Sequence, residues 1–228
     1  MTKIPSKSLT IAVGDSTVSA LLLRPVRSHA CFVFAHGAGA GMRHPFMAAI
    51  AEELAALGIA TLRYQFPYME RGARRPDPPP ACHAAVRAAV ALAARLVPKL
   101  TLIAGGKSFG ARMTSRAQAS EPLPGVSGLA FLGFPLHPAH KPGAVRADHS
   151  QNVKMPLLFV QGTRDALADL ELLRALVKRL GRRATLKLLD DADHAFHVRV
   201  KSGRDDLQVR TDIATALVAW AAKFPKRC

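Results

Sequence analysis

Apolar positions in this chain fall into two alternating kinds of run. Short, continuous, β-branched runs at 30–37, 59–66, 100–108, 126–135, 156–165 and 184–194 read as strands. Longer amphipathic stretches near 45–57, 82–97, 169–180 and 205–222 read as helices, and a further helix begins just after Ser108. An opening hairpin is expected from 9–13 and 17–25, turned at Gly14-Asp15. Continuous rather than alternating apolar runs belong to strands covered on both faces. Strand–helix alternation at this spacing predicts a mainly parallel sheet of about eight strands flanked by helices. With no internal repeat or long linker, residues 1–228 are expected to form a single domain.

Composition narrows this picture. Hydrophobic residues make up 49% of the chain, enough for a sizeable core. The amino-terminal segment has no long apolar run behind its lysines, so no secretory signal is expected. No stretch approaches the roughly 20 apolar residues of a membrane span. Cys31, Cys82 and Cys228 are odd in number and unclustered, which predicts neither a disulfide framework nor a zinc site and favours the cytoplasm. Lysine and arginine number 32 against 16 acidic residues, a formal charge of +16. Such a field concentrates anions and holds nucleic acid without sequence preference. The basic groups are short and scattered, with few aromatics between them and no nucleic-acid motif, so solvated helix faces and an anionic small substrate are the expectations.

The chemically suggestive residues are not scattered. His36-Gly37, Ser108, Phe134-Pro135, Asp165 and His194 each end a strand-like run, where sites collect in open α/β sheets. Residues 106–110 read Gly-Lys-Ser-Phe-Gly, a match to G-x-S-x-G between a strand and a helix. A serine on so tight a turn needs small neighbours, and the helix that follows aims its free N–H groups at developing negative charge. A serine nucleophile needs a base, and the base an orienting carboxylate, here in the chain order serine, acid, histidine. Asp165 is favoured over Asp169 as the acid because it follows the strand directly; its alternative role is to cap the helix that begins near Asp169. His194 is favoured over His197 as the first histidine after its strand. The two histidines lack a third ligand with metal spacing, so no metal is expected.

Acyl transfer also needs two N–H donors for the oxyanion. One is expected from Phe109, the other from the glycine-rich loop 36–41, with Ala38 ahead of Gly39. That loop lacks both nucleotide-binding glycine spacings, so no cofactor is expected. About twenty residues of proline- and histidine-rich loop join the strands ending near Phe134 and beginning near Pro156, too few for a helical lid. An open site is therefore predicted, with Gly39, Tyr68, Lys107 and Leu136 as substrate-contacting residues, Met69 and His137 further wall candidates, and Arg63 and Arg71 near the rim. His137 and His140 are expected to be loop residues.

The blocks 36–47, 66–80, 105–115, 133–142, 160–165 and 191–198 together resemble bacterial α/β-hydrolases related to the testis-expressed thirty protein. That family is similar to the hydrolase-like subunit three of a nuclear acetyltransferase complex and, more distantly, to the dienelactone hydrolases. The resemblance runs from about His36 onward. It implies the α/β-hydrolase fold without a substantial cap, and assigns the roles of nucleophile, acid and base to Ser108, Asp165 and His194. Dienelactone hydrolases carry a cysteine nucleophile where this chain has Ser108, and Ala111 replaces a glycine common in relatives. The function so implied is hydrolysis of a carboxylic ester or related acyl bond. The alternative is a hydrolase-like interaction module without turnover.

Overall fold

The computed structural model describes residues 4–139, 141 and 143–225; Cys228 and His140 lie outside them. The chain opens with β1 (Lys7–Val13) and β2 (Ser16–Leu23), followed by β3 (Ala30–Ala35), α1 (Pro45–Ala56) and β4 (Ile59–Tyr64). Next come a single turn of helix, α2 (Pro67–Glu70), then α3 (Pro79–Leu96), β5 (Thr101–Lys107), α4 (Phe109–Ser120) and β6 (Val126–Leu132). The last elements are β7 (Leu157–Gly162), α5 (Leu170–Leu180), β8 (Ala184–Leu189) and α6 (Asp206–Ala221). Eight strands form one sheet in the order β1-β2-β4-β3-β5-β6-β7-β8. β2 pairs antiparallel with β1 and β4, and every other pairing is parallel.

The continuous apolar strands are explained by two cores, one on each face. Along β3, Cys31, Val33 and Ala35 enter one core with α3, α4 and α5, while Phe32 and Phe34 enter the other with α1 and α6. β5 divides likewise, Leu102 and Ala104 to the first face and Ile103 to the second. Alternating side-chain direction along a strand produces this division. Helix starts carry local signals. Pro45 opens α1 with His44 Nδ1 accepting from the Phe46 N–H, and Asp169 caps α5 by accepting from the Leu172 N–H at 3.0 Å. Asp205 and Gln208 form a capping box on α6.

The strands end sooner than their apolar runs suggest. β6 stops at Leu132 because Gly133 turns the chain with φ of +66°, and β8 stops at Leu189 before Asp191 with φ of +56°. Asp165 and His194 therefore stand on the loops after β7 and β8 rather than within strands. The segment joining β6 to β7 is more ordered than a proline-rich loop suggests, because Val145–Asn152 forms a 3₁₀ helix. Its period of three escapes a search for 3.6-residue periodicity. It docks on α4, where the Ser115 hydroxyl meets His149 Nε2 at 2.7 Å, and no α-helical lid stands there among the described residues. No described helix is long and apolar enough to cross a membrane.

Candidate active site

Ser108 occupies the turn from β5 into α4 with φ of +51° and ψ of −109°, a conformation costly for any residue but glycine. Its neighbours show why this turn reads G-x-S-x-G. A Cβ on either Gly106 or Gly110 would lie 2.5 Å from the carbonyl oxygen of Ala35. β5 and the start of α4 thus press directly on β3, and the Ser108 N–H is tied to the Leu132 carbonyl at 3.0 Å. The strained turn is held from both sides.

The structure brings Asp165 and His194 to this serine. The Ser108 hydroxyl lies 2.8 Å from His194 Nε2, and His194 Nδ1 lies 2.7 Å from Asp165 Oδ2. Because a carboxylate only accepts, Nδ1 carries the hydrogen and Nε2 is left to accept from Ser108. Asp165 is buried, and its carboxylate accepts two further hydrogen bonds. Gln161 Nε2 donates to Oδ2 at 2.5 Å, and the Leu167 N–H donates to Oδ1 at 2.8 Å. Gln161 in turn accepts from the Phe134 N–H at 2.9 Å. This glutamine was not singled out from sequence; its signal was one amide in the otherwise apolar strand β7. Asp169 is spent on capping α5. His197 points outward, with a 67% exposed side chain that pairs with Asp206.

Lys107 departs most from expectation. Rather than offering its ammonium to a substrate at the rim, it turns inward and donates to the His194 carbonyl oxygen at 2.6 Å. Its nitrogen lies 5.0 Å from the centre of the Phe196 ring. Gly133 leaves the room for it, since a Cβ there would stand 2.9 Å from the ammonium. Burial lowers the Lys107 pKa to about 8, opposed by the charges of Asp165 and Asp193. The stem of Lys107 still lines the cavity beside Ser108.

The loop after β3 is held from beneath. His36 is fully buried, accepting from the Phe66 N–H at Nε2 (3.1 Å) and donating from Nδ1 to the Gly37 carbonyl (2.7 Å). Burial pushes its pKa down to about 4, so the neutral ring fastens this loop to the one after β4. Tyr68, expected as a wall of the site, is also buried, and its hydroxyl accepts from the Gly39 N–H at 3.1 Å. That bond occupies Gly39. By contrast, neither the Ala38 nor the Phe109 N–H donates to an acceptor among the described residues. Leu136 lies wholly buried behind the site, its N–H bonded to the Leu167 carbonyl at 2.9 Å. Arg63 is buried too, donating to the Met42 carbonyl, while Arg71 pairs with Asp77 at 2.6 Å. His137 is enclosed and accepts from the Asp169 N–H.

Two cavities meet at Ser108, and Ala38 lines both. The first, of about 550 Å³, has His194 in its wall with Ala40, Phe46, Met47, Ala49 and Ala195, and also carries His44, His197 and Arg210. The second, of about 390 Å³, is formed by Phe109, Arg112, Met113, Pro135, Arg146 and Leu167, with Pro76, Asp77 and Pro79 opposite. Among the described residues, no group of three or more His, Cys, Asp and Glu is arranged to hold a metal ion.

Comparison with known proteins agrees with this architecture. A family model described as an alpha/beta hydrolase domain matches residues 28–222. Among solved structures, dienelactone hydrolase from Anabaena variabilis superposes with a TM-score of 0.76 at 19% identity, covering 97% of this chain and 99% of its own. XC6422 from Xanthomonas campestris, described as an α/β serine hydrolase without a lid, gives 0.74 at 21% identity and covers 99% of each chain. The esterase domain of a Rhodothermus marinus protein gives 0.71 at 18% identity, covering 95% and 98%.

Proposed function

The chain belongs to the alpha/beta hydrolase domain family, and from that premise we propose that it is a serine hydrolase of carboxylic esters or related acyl bonds. One observation carries this reading: an unbroken line of hydrogen bonds from Ser108 through His194 to buried Asp165, at a strained strand-to-helix turn. Such strain is costly and persists only where its surroundings hold it, which is characteristic of reacting groups. That esterases and a lidless serine hydrolase share the fold supports the reading. Within the family, the sequence blocks favour the narrower group related to the testis-expressed thirty protein.

In this mechanism His194 Nε2 takes the proton of Ser108 as Oγ attacks the substrate carbonyl carbon. The carbonyl oxygen becomes an oxyanion between the N–H groups of Ala38 and Phe109, both free to donate, with the amino terminus of α4 behind Phe109. Collapse of the tetrahedral intermediate breaks the bond to the leaving oxygen, which departs with the proton from His194. Water, deprotonated by the same nitrogen, then attacks the acyl carbon; the bond to Ser108 Oγ breaks, His194 returns the proton to Oγ, and the acid is released. Asp165 fixes the imidazole tautomer and stabilises its cation. Gln161 and the Leu167 N–H keep the carboxylate facing the ring, and Lys107 anchors the main chain of His194. The buried free thiols of Cys31 and Cys82 suit a reducing cytoplasm. The test is steady-state hydrolysis of short para-nitrophenyl esters by wild type and Ser108→Ala. Equal rates in the two proteins would overturn the proposal.

A further inference from the structure

The two cavities beside Ser108 differ in chemistry, and the proposed mechanism gives each a role. His194 delivers a proton to the leaving oxygen, so the leaving group must lie on the side where His194 forms the wall. That is the cavity of Ala40, Phe46, Met47, Ala49 and Ala195. The acyl chain must then enter the other cavity, past Phe109 and beneath Arg112 and Arg146.

This second cavity is cationic and under-paired. Arg112 stands one helical turn beyond Ser108 on α4, its guanidinium carbon 5.9 Å from the centre of the Phe109 ring. Its Nε is buried without a hydrogen-bond partner, and no ion pair to Arg112 or Arg146 occurs among the described residues. Burial and the neighbouring charges of Arg146 and Arg116 all disfavour the charged form of Arg112. The same arginines, 112 and 116, also press on His149 behind the cavity. Asp77 is the one carboxylate in the lining; Arg71 engages its Oδ1 at 2.6 Å, its Oδ2 is buried without a partner, and the two arginines outnumber it. Arg210, in the opposite cavity, likewise has a buried Nε without a partner, but it lies close enough to Asp206 to lower that carboxyl's pKa. A half-buried guanidinium whose Nε is shut off from water without a partner is costly, and a bound anion relieves that cost through charge-assisted hydrogen bonds.

Resting on the serine-hydrolase reading, we propose that Arg112 and Arg146 form a subsite for an anionic group, carboxylate or phosphate, on the acyl half of the substrate. The leaving group on the opposite side is apolar. The enzyme is then a hydrolase of half-esters: it cleaves one ester bond of an acid whose second acidic group remains free.

The experiment compares para-nitrophenyl esters of equal acyl length, one ending in methyl (valerate), one in carboxylate (hemiglutarate) and one in phosphonate. kcat/KM is measured for wild type, Arg112→Gln, Arg146→Gln and Arg112→Lys, with circular dichroism to verify folding. Arg146→Gln, on the surface 3₁₀ helix, serves if Arg112→Gln fails to fold. Wild type should prefer one or both anionic esters by about 10- to 100-fold, the range expected for a charge-assisted contact. Whichever anion wins identifies the ligand class. Either glutamine variant should bring the ratio of anionic to neutral kcat/KM towards one, and Arg112→Lys should restore part of it. Cleavage of all three esters at similar kcat/KM, or a preference unchanged in both glutamine variants, would overturn the subsite and leave the hydrolase reading intact. A folded wild type that cleaves none of the three and fails to acylate at Ser108 would remove both.

Discussion

The two cavities that meet at Ser108 come from different parts of the chain. The apolar one is assembled from the loop after β3, the first turns of α1 and the loop after β8. Much of this is the framework that already holds Ser108 and His194. The cationic one borrows its walls from α4 and from segments following β4, β6 and β7, including the 3₁₀ helix that stands where a lid would be. The contrast separates two demands on one site. The side to which the proposed mechanism gives proton transfer is fixed by buried struts such as His36, Tyr68 and Lys107. The side proposed to select the acyl group is built on connecting segments, which tolerate change with little disturbance to the sheet.

The largest expected effect breaks both sides at once. Ser108→Ala and His194→Ala should each lower kcat by on the order of ten-thousand-fold or more, and the double variant should be no worse than the more damaging single one, since the residues act as a unit. Single-turnover kinetics on one ester would measure this. Next is Gln161→Leu, which leaves the Phe134 N–H unpaired and one face of the Asp165 carboxylate unsupported. We expect kcat to fall about 10- to 100-fold, the scale of a hydrogen bond to a charged group, with an anion-to-neutral substrate ratio unchanged from wild type. A changed ratio would show that the two sides are coupled.

Stability offers a sharper view of the struts. Gly110→Ala places a methyl group against the Ala35 carbonyl and should cost about 2–4 kcal/mol in chemical denaturation, whichever substrate is used to probe it. His36 gives a pH signature. Its folded pKa of about 4 lies below the ordinary 6.5, so the unfolded chain takes up a proton first as pH falls. The stability it supports is complete above pH 6.5 and is lost progressively towards pH 4, on the order of 3 kcal/mol in all. Denaturation midpoints at pH 7 and pH 4.5 should show this loss, and His36→Gln, weaker at pH 7, should show a flatter decline. The smallest effect belongs to the apolar wall. Phe46→Ala should reduce kcat/KM for esters of bulky apolar alcohols by about 3- to 10-fold while leaving the choice of acyl group untouched.

Most of the architecture was legible in the sequence because period and punctuation agree. The doubly apolar strands, the Gly14 turn of the opening hairpin and the glycines flanking Ser108 all point the same way. The residues that meet at the site were also readable, since Ser108, Asp165 and His194 each follow a strand on the same edge of the sheet. What was not legible is the direction of side chains that the tertiary structure decides. Lys107 and Tyr68 border the motifs, yet one bonds the backbone of His194 and the other braces Gly39. Gln161 looks like a stray polar residue until β7 is placed beside β6. Arg112 falls within the helix after Ser108, and only the arrival of the 135–167 segment gives it a cavity. Helical periodicity was the wrong test for that segment, because its ordered part is a 3₁₀ helix.

The most direct test is intact-mass spectrometry of the purified protein after exposure to a fluorophosphonate, with peptide mapping of the adduct. One covalent adduct on Ser108, abolished by Ser108→Ala and slowed by His194→Ala, is the predicted result. A folded protein that stays unmodified, or an adduct on any other residue, would contradict an activated serine at the end of β5.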